Sequence, residues 1–322
     1  MTQSPKANEI TITRVYDAPL KAVWSAWTDV EQVSKWWGPR GFTITTHSKD
    51  LRPGGHWDYT MHGPDGVNYP NKTSYFEVDE PGDHAKLVYD HGANDNQPPL
   101  FRVTVLFTRL GDKTKMDMTM AFANETAAQQ SKKAIKDHGG NTTWDRLAEY
   151  LAQKWNKKEL FIINRTFDAP INLVFDVWTS PEHFAHWMGP KGSEMNILRA
   201  DVRPGGSLFY SQGMPNGDTM YGRANYKEIS KPHSLVYTQE FVDKNENVTR
   251  HPLAPTWPLL MQTTVLFAEE SLRTTRLTLI WEPIGQVTQD ELNTFISART
   301  GMNGGWAGSF DVLEEYLVSK SK

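Results

Sequence analysis

The side chains on this chain that could do acid–base work are a few carboxylates and histidines set in alternating stretches. Glu77, Glu228, Asp117, Glu282 and His56 are the candidates, and each would need an enclosed site that displaces its pKa. Period-2 alternation places Asp117, between Met116 and Met118, and His56, before Trp57, on the polar face of their strands. Glu282 stands between Trp281 and Pro283, at a rim. His183 and His186 are spaced to share one side of a helix, but the first half of the chain offers only Ser34 and Lys35 nearby and no matching pair. We therefore expect a surface or core role for them and no metal. The chain has no cysteine, which removes disulfides, thiolate nucleophiles and sulfur-ligated metals together. No GxSxG elbow, P-loop, GxGxxG or HExxH occurs, so no catalytic residue and no cofactor is expected.

Apolar aromatic surface is what the sequence supplies in quantity. Of 12 tryptophans, Trp24, Trp27, Trp36, Trp37, Trp57, Trp144 and Trp155 fall before residue 157. Trp57, Tyr59 and Met61 alternate with His56, Asp58 and Thr60, giving one aromatic face and one wet face. Met116, Met118 and Met120 follow the same rule, and their second-half counterparts are Leu277, Leu279 and Trp281. Flat rings with polar tips suit the wall of an apolar cavity, and methionine adapts to irregular shapes. The candidate ligand-binding set is Trp24, Trp27, Trp37, Trp57, Tyr59, Met61, Met116 and Met118, with Trp178, Tyr210, Trp257, Trp281 and Trp306 in the second half. Filling a solid core is the competing reading for each of them.

The elements that must position these residues come twice. RVYDAPLKAVWSAWT (Arg14 to Thr28) matches RTFDAPINLVFDVWT (Arg165 to Thr179), and the same offset carries KWWGPRG onto HWMGPKG and the Arg52 RPGG onto the Arg203 RPGG. Further on the offset drifts, so loop lengths differ. VLF at Val105 pairs with VLF at Val265, and WDRLAEYL (Trp144 to Leu151) pairs with FDVLEEYL (Phe310 to Leu317). A repeat of this length is a domain duplication, with domains expected at 1–156 and 157–322.

Each copy opens on a period-2 strand (Ile10, Ile12, Arg14, Tyr16; then Phe161, Ile163, Arg165, Phe167). Asp-Ala-Pro then starts a helix, with Asp17 or Asp168 expected to cap it. Leu20, Val23, Trp24 and Trp27, repeated as Ile171, Val174, Phe175 and Trp178, form one apolar stripe. A second short helix follows, starting at Ser180-Pro181 in copy two and stopping at Gly38-Pro39 and Gly189-Pro190. The DG turn at Asp65 and the NG turn at Asn216 separate later strands, and RPGG is read mainly as a tight turn that needs glycine, its arginine alternatively meeting a ligand carboxylate. One long helix closes each copy, over roughly Ala127–Lys154 and Thr288–Ser319. Copy two carries an insert, HPLAPTWP around Trp257, which would act as a lid. The class is α+β: two tandem helix-grip domains, each a curved antiparallel sheet around a long C-terminal helix, with two short helices after the first strand.

DAP, WxT, WxGP, RPGG, the DG turn and the closing LxEYL, in this order, resemble the SRPBCC superfamily, the START-like helix-grip fold. Within it the chain is most similar to the family named after the C-terminal domain of the activator of heat shock protein 90 ATPase. The resemblance implies a cavity between sheet and helix that holds an apolar ligand in many relatives, but it implies no single chemistry. Binding of small apolar ligands without catalysis is the leading expectation. The alternatives are a cyclase- or hydrolase-like enzyme using a cavity carboxylate, and a regulator of a chaperone ATPase. The named co-chaperone has a different N-terminal domain, whereas a second helix-grip copy fills that length here. With 34 basic and 38 acidic residues and no dense Lys/Arg run, nucleic acid is not expected as a partner. No stretch reaches the length of a membrane span, and a cytoplasmic protein is expected.

Overall fold

Alternation at the start of each half becomes an edge strand with one buried face. In β1 (Glu9–Tyr16), Ile10, Ile12, Arg14 and Tyr16 point inward, and in β8 (Phe161–Phe167) Phe161, Ile163 and Phe167 do the same. The computed structural model describes residues 6–93, 98–137, 142–189, 194–213 and 219–320. It divides into two compact units, Met1–Lys158 and Glu159–Lys322.

In the first unit β1 leads to α1 (Leu20–Thr28) and α2 (Val30–Val33). The strands β2 (Thr43–Lys49), β3 (His56–His62), β4 (Asn68–Asp79), β5 (His84–Ala93), β6 (Phe101–Leu110) and β7 (Lys113–Ala121) follow. They form one antiparallel sheet of seven strands in the order β1-β7-β6-β5-β4-β3-β2. The stripe Leu20, Val23, Trp24 and Trp27 is buried as its spacing requires. Helix entry differs from expectation. Pro19 itself is the N-cap residue and has no side-chain acceptor, so the Ala22 and Val23 amides bond to its carbonyl at 2.9 and 3.1 Å. Asp17 instead accepts from Asn156 and pairs with Lys113, and Pro170 takes the N-cap place in the second unit, where Asp168 was expected to cap.

Helix α3 (Glu125–Asp137) and helix α4 (Thr142–Leu151) cover the stretch expected as one helix over 127–154, with residues 138–141 outside the described residues, and one π-helical turn, Ala152–Asn156, ends the unit. The second unit has the same order of elements up to its closing helix. It runs β8, α5 (Ile171–Thr179), α6 (Pro181–Trp187), β9 (Met195–Ala200), β10 (Ser207–Gly213), β11 (Thr219–Ser230), β12 (Ser234–Val242), β13 (Met261–Ser271), β14 (Thr274–Pro283) and α7 (Gln289–Lys320). Its sheet order is β8-β14-β13-β12-β11-β10-β9, the same topology. The expected Asn216-Gly217 turn and Pro190 lie outside the described residues.

Both RPGG segments form the same turn. Gly54 and Gly205 have φ of +81°, a conformation that side chains with a Cβ resist. A Cβ on Gly55 would stand 2.2 Å from the Asp50 carbonyl oxygen, and one on Gly206 2.1 Å from that of Asp201. Arg52 and Arg203 are held by the turn's own Asp50 and Asp201 at 2.8 and 3.0 Å, in solvent. The glycines are thus a backbone requirement, and these arginines are exposed to solvent.

Candidate functional site

Trp27 is the centre of the first unit's aromatic core. Its ring stacks on Trp144 of α4 (5.5 Å, 8°) and meets Trp36, Trp37 and Phe107 at 5.3 to 5.5 Å. Indole N–H groups need partners when buried, and three have them: Trp36 donates to the Ala26 carbonyl (2.9 Å), Trp37 to the Tyr59 hydroxyl (3.1 Å) and Trp57 to Thr46 (3.1 Å). Beside this core, between sheet and α4, lies a cavity of about 180 Å³. Its wall is Trp37, Gly38 and Pro39 from the loop after α2, Met61, Tyr89, His91, Phe101, Val103, Met118 and Met120 from the sheet, and Thr143 and Trp144 from α4.

Charged side chains fasten the cavity's loop wall. Arg146 donates to the carbonyls of Gly38, Pro39 and Phe42 at 2.8, 2.9 and 3.1 Å, which occupies the backbone acceptors of the turn. Burial, and then the nearby Arg40 charge, lower Arg146 to about 10 despite Glu149. Arg40 forms a two-pronged pair with Glu149 (2.9 and 2.5 Å), both side chains under a tenth exposed. Inside, His91 stacks on Phe101 (5.0 Å), and desolvation pulls its imidazole down to about 4, so it is neutral at physiological pH.

The second unit has a cavity of about 230 Å³ in the same place. Met188, Gly189, Tyr210, Gln212, Gln239, Phe241 and Trp281 wall it, together with Met195 and Met220, while Met302, Gly305, Trp306 and Ser309 of α7 close it. A void of about 30 Å³ next to it touches Trp178 and Tyr210. Trp178 stacks on Trp306 (6.2 Å, 10°), as Trp27 does on Trp144.

The sequence-derived candidates divide between wall and core. Trp37, Met61, Met118, Tyr210, Trp281 and Trp306 line the two cavities between sheet and closing helix. Trp24, Trp27, Trp57, Tyr59 and Met116 are buried in the packing behind the wall, and Trp178 reaches only the small void. Trp257 is half-buried against Trp281 and Phe295 and lines neither cavity. Its insert is fastened to α7 by Arg250 pairing with Glu291 and by Thr256 to Thr294. His91, Phe101, Val103, Gln212 and Gln239 are not among the sequence-derived candidates; the repeat was the signal that could have found His91 and Gln239, which both fall two residues after a strand Leu-Val-Tyr.

Of the acid–base candidates, Glu77 is exposed and pairs with Lys86, Glu228 and His56 are exposed, and Asp117 is half-buried beside Lys115. No carboxylate lines either cavity between sheet and closing helix. His183 bonds Tyr316 at 2.8 Å and His186 stacks on the same ring, so both serve packing between α6 and α7. Among the described residues no group of three or more His, Asp or Glu is placed to hold a metal, and no helix is long and apolar enough to cross a membrane.

Two sheets of seven strands, each closed by a C-terminal helix, have counterparts among solved structures. The chain is similar to a protein from Mycobacterium smegmatis (18% identity, 49% of this chain and 90% of that one, TM-score 0.42) and to one from Staphylococcus epidermidis (29%, 51% and 92%, TM-score 0.40). It is also similar to the di-domain ARO/CYC BexL from the BE-7585A biosynthetic pathway (14%, 96% and 98%, TM-score 0.37). No curated protein matches its sequence. The family model described as Activator of Hsp90 ATPase homolog 1-like protein matches residues 17–152 and again 168–318. With both copies covered nearly end to end, the chain belongs to the Activator of Hsp90 ATPase homolog 1-like protein family, as two tandem helix-grip domains.

Proposed function

We propose that this protein binds small apolar molecules, one in each domain, in the cavity between sheet and C-terminal helix. The observation that carries the reading is that both domains keep an apolar cavity at the same place while building its wall from different residues. Close packing removes voids unless something maintains them, because each unfilled volume forfeits contact energy. The size suggests the ligand class: a dry cavity of roughly 150 Å³ takes up benzene-sized molecules. A single ring suits the first domain, and the second has room for a somewhat larger molecule with polar substituents, which Gln212, Gln239 and Ser309 would meet.

The test is native mass spectrometry of the purified full chain, followed by organic extraction and small-molecule analysis. A co-purifying apolar compound at up to two per chain supports the reading. A saturating single-ring probe such as toluene should also raise the unfolding midpoint, since a ligand at a hundredfold its Kd adds about 2.7 kcal/mol. Ligand-free protein that toluene leaves unshifted would refute it.

A further inference from the structure

One polar contact of the second cavity is missing from the first. In the second domain Gln239 on β12 lines the cavity, and its amide oxygen accepts from Thr263 of β13 at 2.9 Å. The ladder registers identify the matching residues of the first domain. Tyr237 faces Thr263 and Gln239 faces Met261, just as Tyr89 faces Val103 and His91 faces Phe101. Val103 therefore stands where Thr263 would, and it has no hydroxyl. His91 stacks on Phe101 and lines the cavity; its backbone carbonyl accepts from the Leu100 amide, but its imidazole has no hydrogen-bond partner among the described residues.

We infer that the first domain's cavity selects apolar single-ring molecules that carry one hydroxyl group, and that the His91 imidazole reads that hydroxyl. This rests on the cavity being a ligand site. A polar atom at a mostly apolar wall costs stability while unpaired, and a ligand that pairs it recovers that cost on binding. A neutral imidazole has one donor and one acceptor nitrogen, and a hydroxyl is both, so either tautomer makes the bond. The ring of such a ligand fits between the aromatic and methionine walls as toluene would; only the hydroxyl separates the two.

Phenol and toluene are close in size and isolate that contact. They are titrated separately into the full chain carrying [¹³C-methyl]methionine, and the Met118 and Met120 methyl signals report this cavity. His91→Leu is expected to lower the ratio of phenol to toluene affinity by at least about tenfold. Val103→Thr, which gives His91 the hydroxyl partner that Gln239 has, is expected to lower the ratio in the same direction while keeping the imidazole. An unchanged ratio in both variants, with toluene still shifting the methyl signals, overturns the inference and leaves the ligand site standing. Methyl signals that respond to neither probe in the unaltered chain overturn both.

Discussion

The two cavities occupy one place in the fold and exchange the residues that build it. Trp37 and Met120 wall the first; at the matching positions of the second stand Met188 and Trp281, so tryptophan and methionine have traded loop for sheet. The closing helix shows a similar shift. Trp144 aligns in sequence with Phe310, but the ring that takes its stacking role is Trp306, one helical turn earlier. Apolar packing is tolerant of which residue supplies a surface provided the volume is filled, so duplication preserved the space and let its lining drift. The charged fastenings did not drift in this way: Arg146 has Val312 at its aligned position, and Glu149 has the exposed Glu315.

That difference gives the largest expected effect. Glu149→Ala leaves the Arg40 guanidinium buried without its two-pronged partner and should destabilise the first domain by about 3–5 kcal/mol, whereas Glu315→Ala should stay within about 0.5 kcal/mol. Hydrogen exchange of β5–β6 amides against β12–β13 amides, followed through a denaturant series, reads the two domains separately. Equal effects would mean that the Arg40–Glu149 pair does not distinguish them.

Next comes a test of sameness. Gly55→Ala and Gly206→Ala each drive a Cβ into a backbone carbonyl at 2.2 and 2.1 Å, so each should cost about 1–3 kcal/mol in its own domain, measured by the same exchange series. A marked inequality would show that the RPGG turns are not equivalent. Arg146→Met keeps the apolar stem and removes the donors to the Gly38, Pro39 and Phe42 carbonyls. A loss of about 1–2 kcal/mol confined to the first domain is expected, with faster exchange at residues 37–42.

The smallest effect is a pH dependence that only the first domain can show at this position. Lys49 donates to the Trp27 carbonyl (3.0 Å) and lies over the Trp57 ring, and in the second domain Ala200 stands in its place. Burial lowers its pKa to about 7, against a smaller raising effect of Asp29. Between about 7 and 10.5 the unfolded chain holds a proton that the folded chain has released, so this group's contribution to stability rises with pH across that window and is flat below it. Lys49→Met should therefore raise the first domain's stability relative to the unaltered chain at pH 6, with the gain fading by pH 10. A gain that is independent of pH would remove Lys49 as its source.

Much of this architecture was legible because it depends on short-range pattern. The alternation of Ile10, Ile12 and Tyr16 and the stripe from Leu20 to Trp27 gave strand and helix directly, since each residue's face follows from the period of its own element. The aspartate cap failed because the proline carbonyl serves the first turn instead.

The sequence by itself determined the duplication, the class of each element and which side chains face inward. Only the tertiary structure decided which inward residues border empty space. Trp57, Tyr59 and Met61 share one face of β3, and Met116, Met118 and Met120 one face of β7, yet only Met61, Met118 and Met120 reach the cavity. Periodicity assigns a face to a residue but not a position along it. Where α1 and the closing helix lie across the sheet determines which rungs are covered and which stay open.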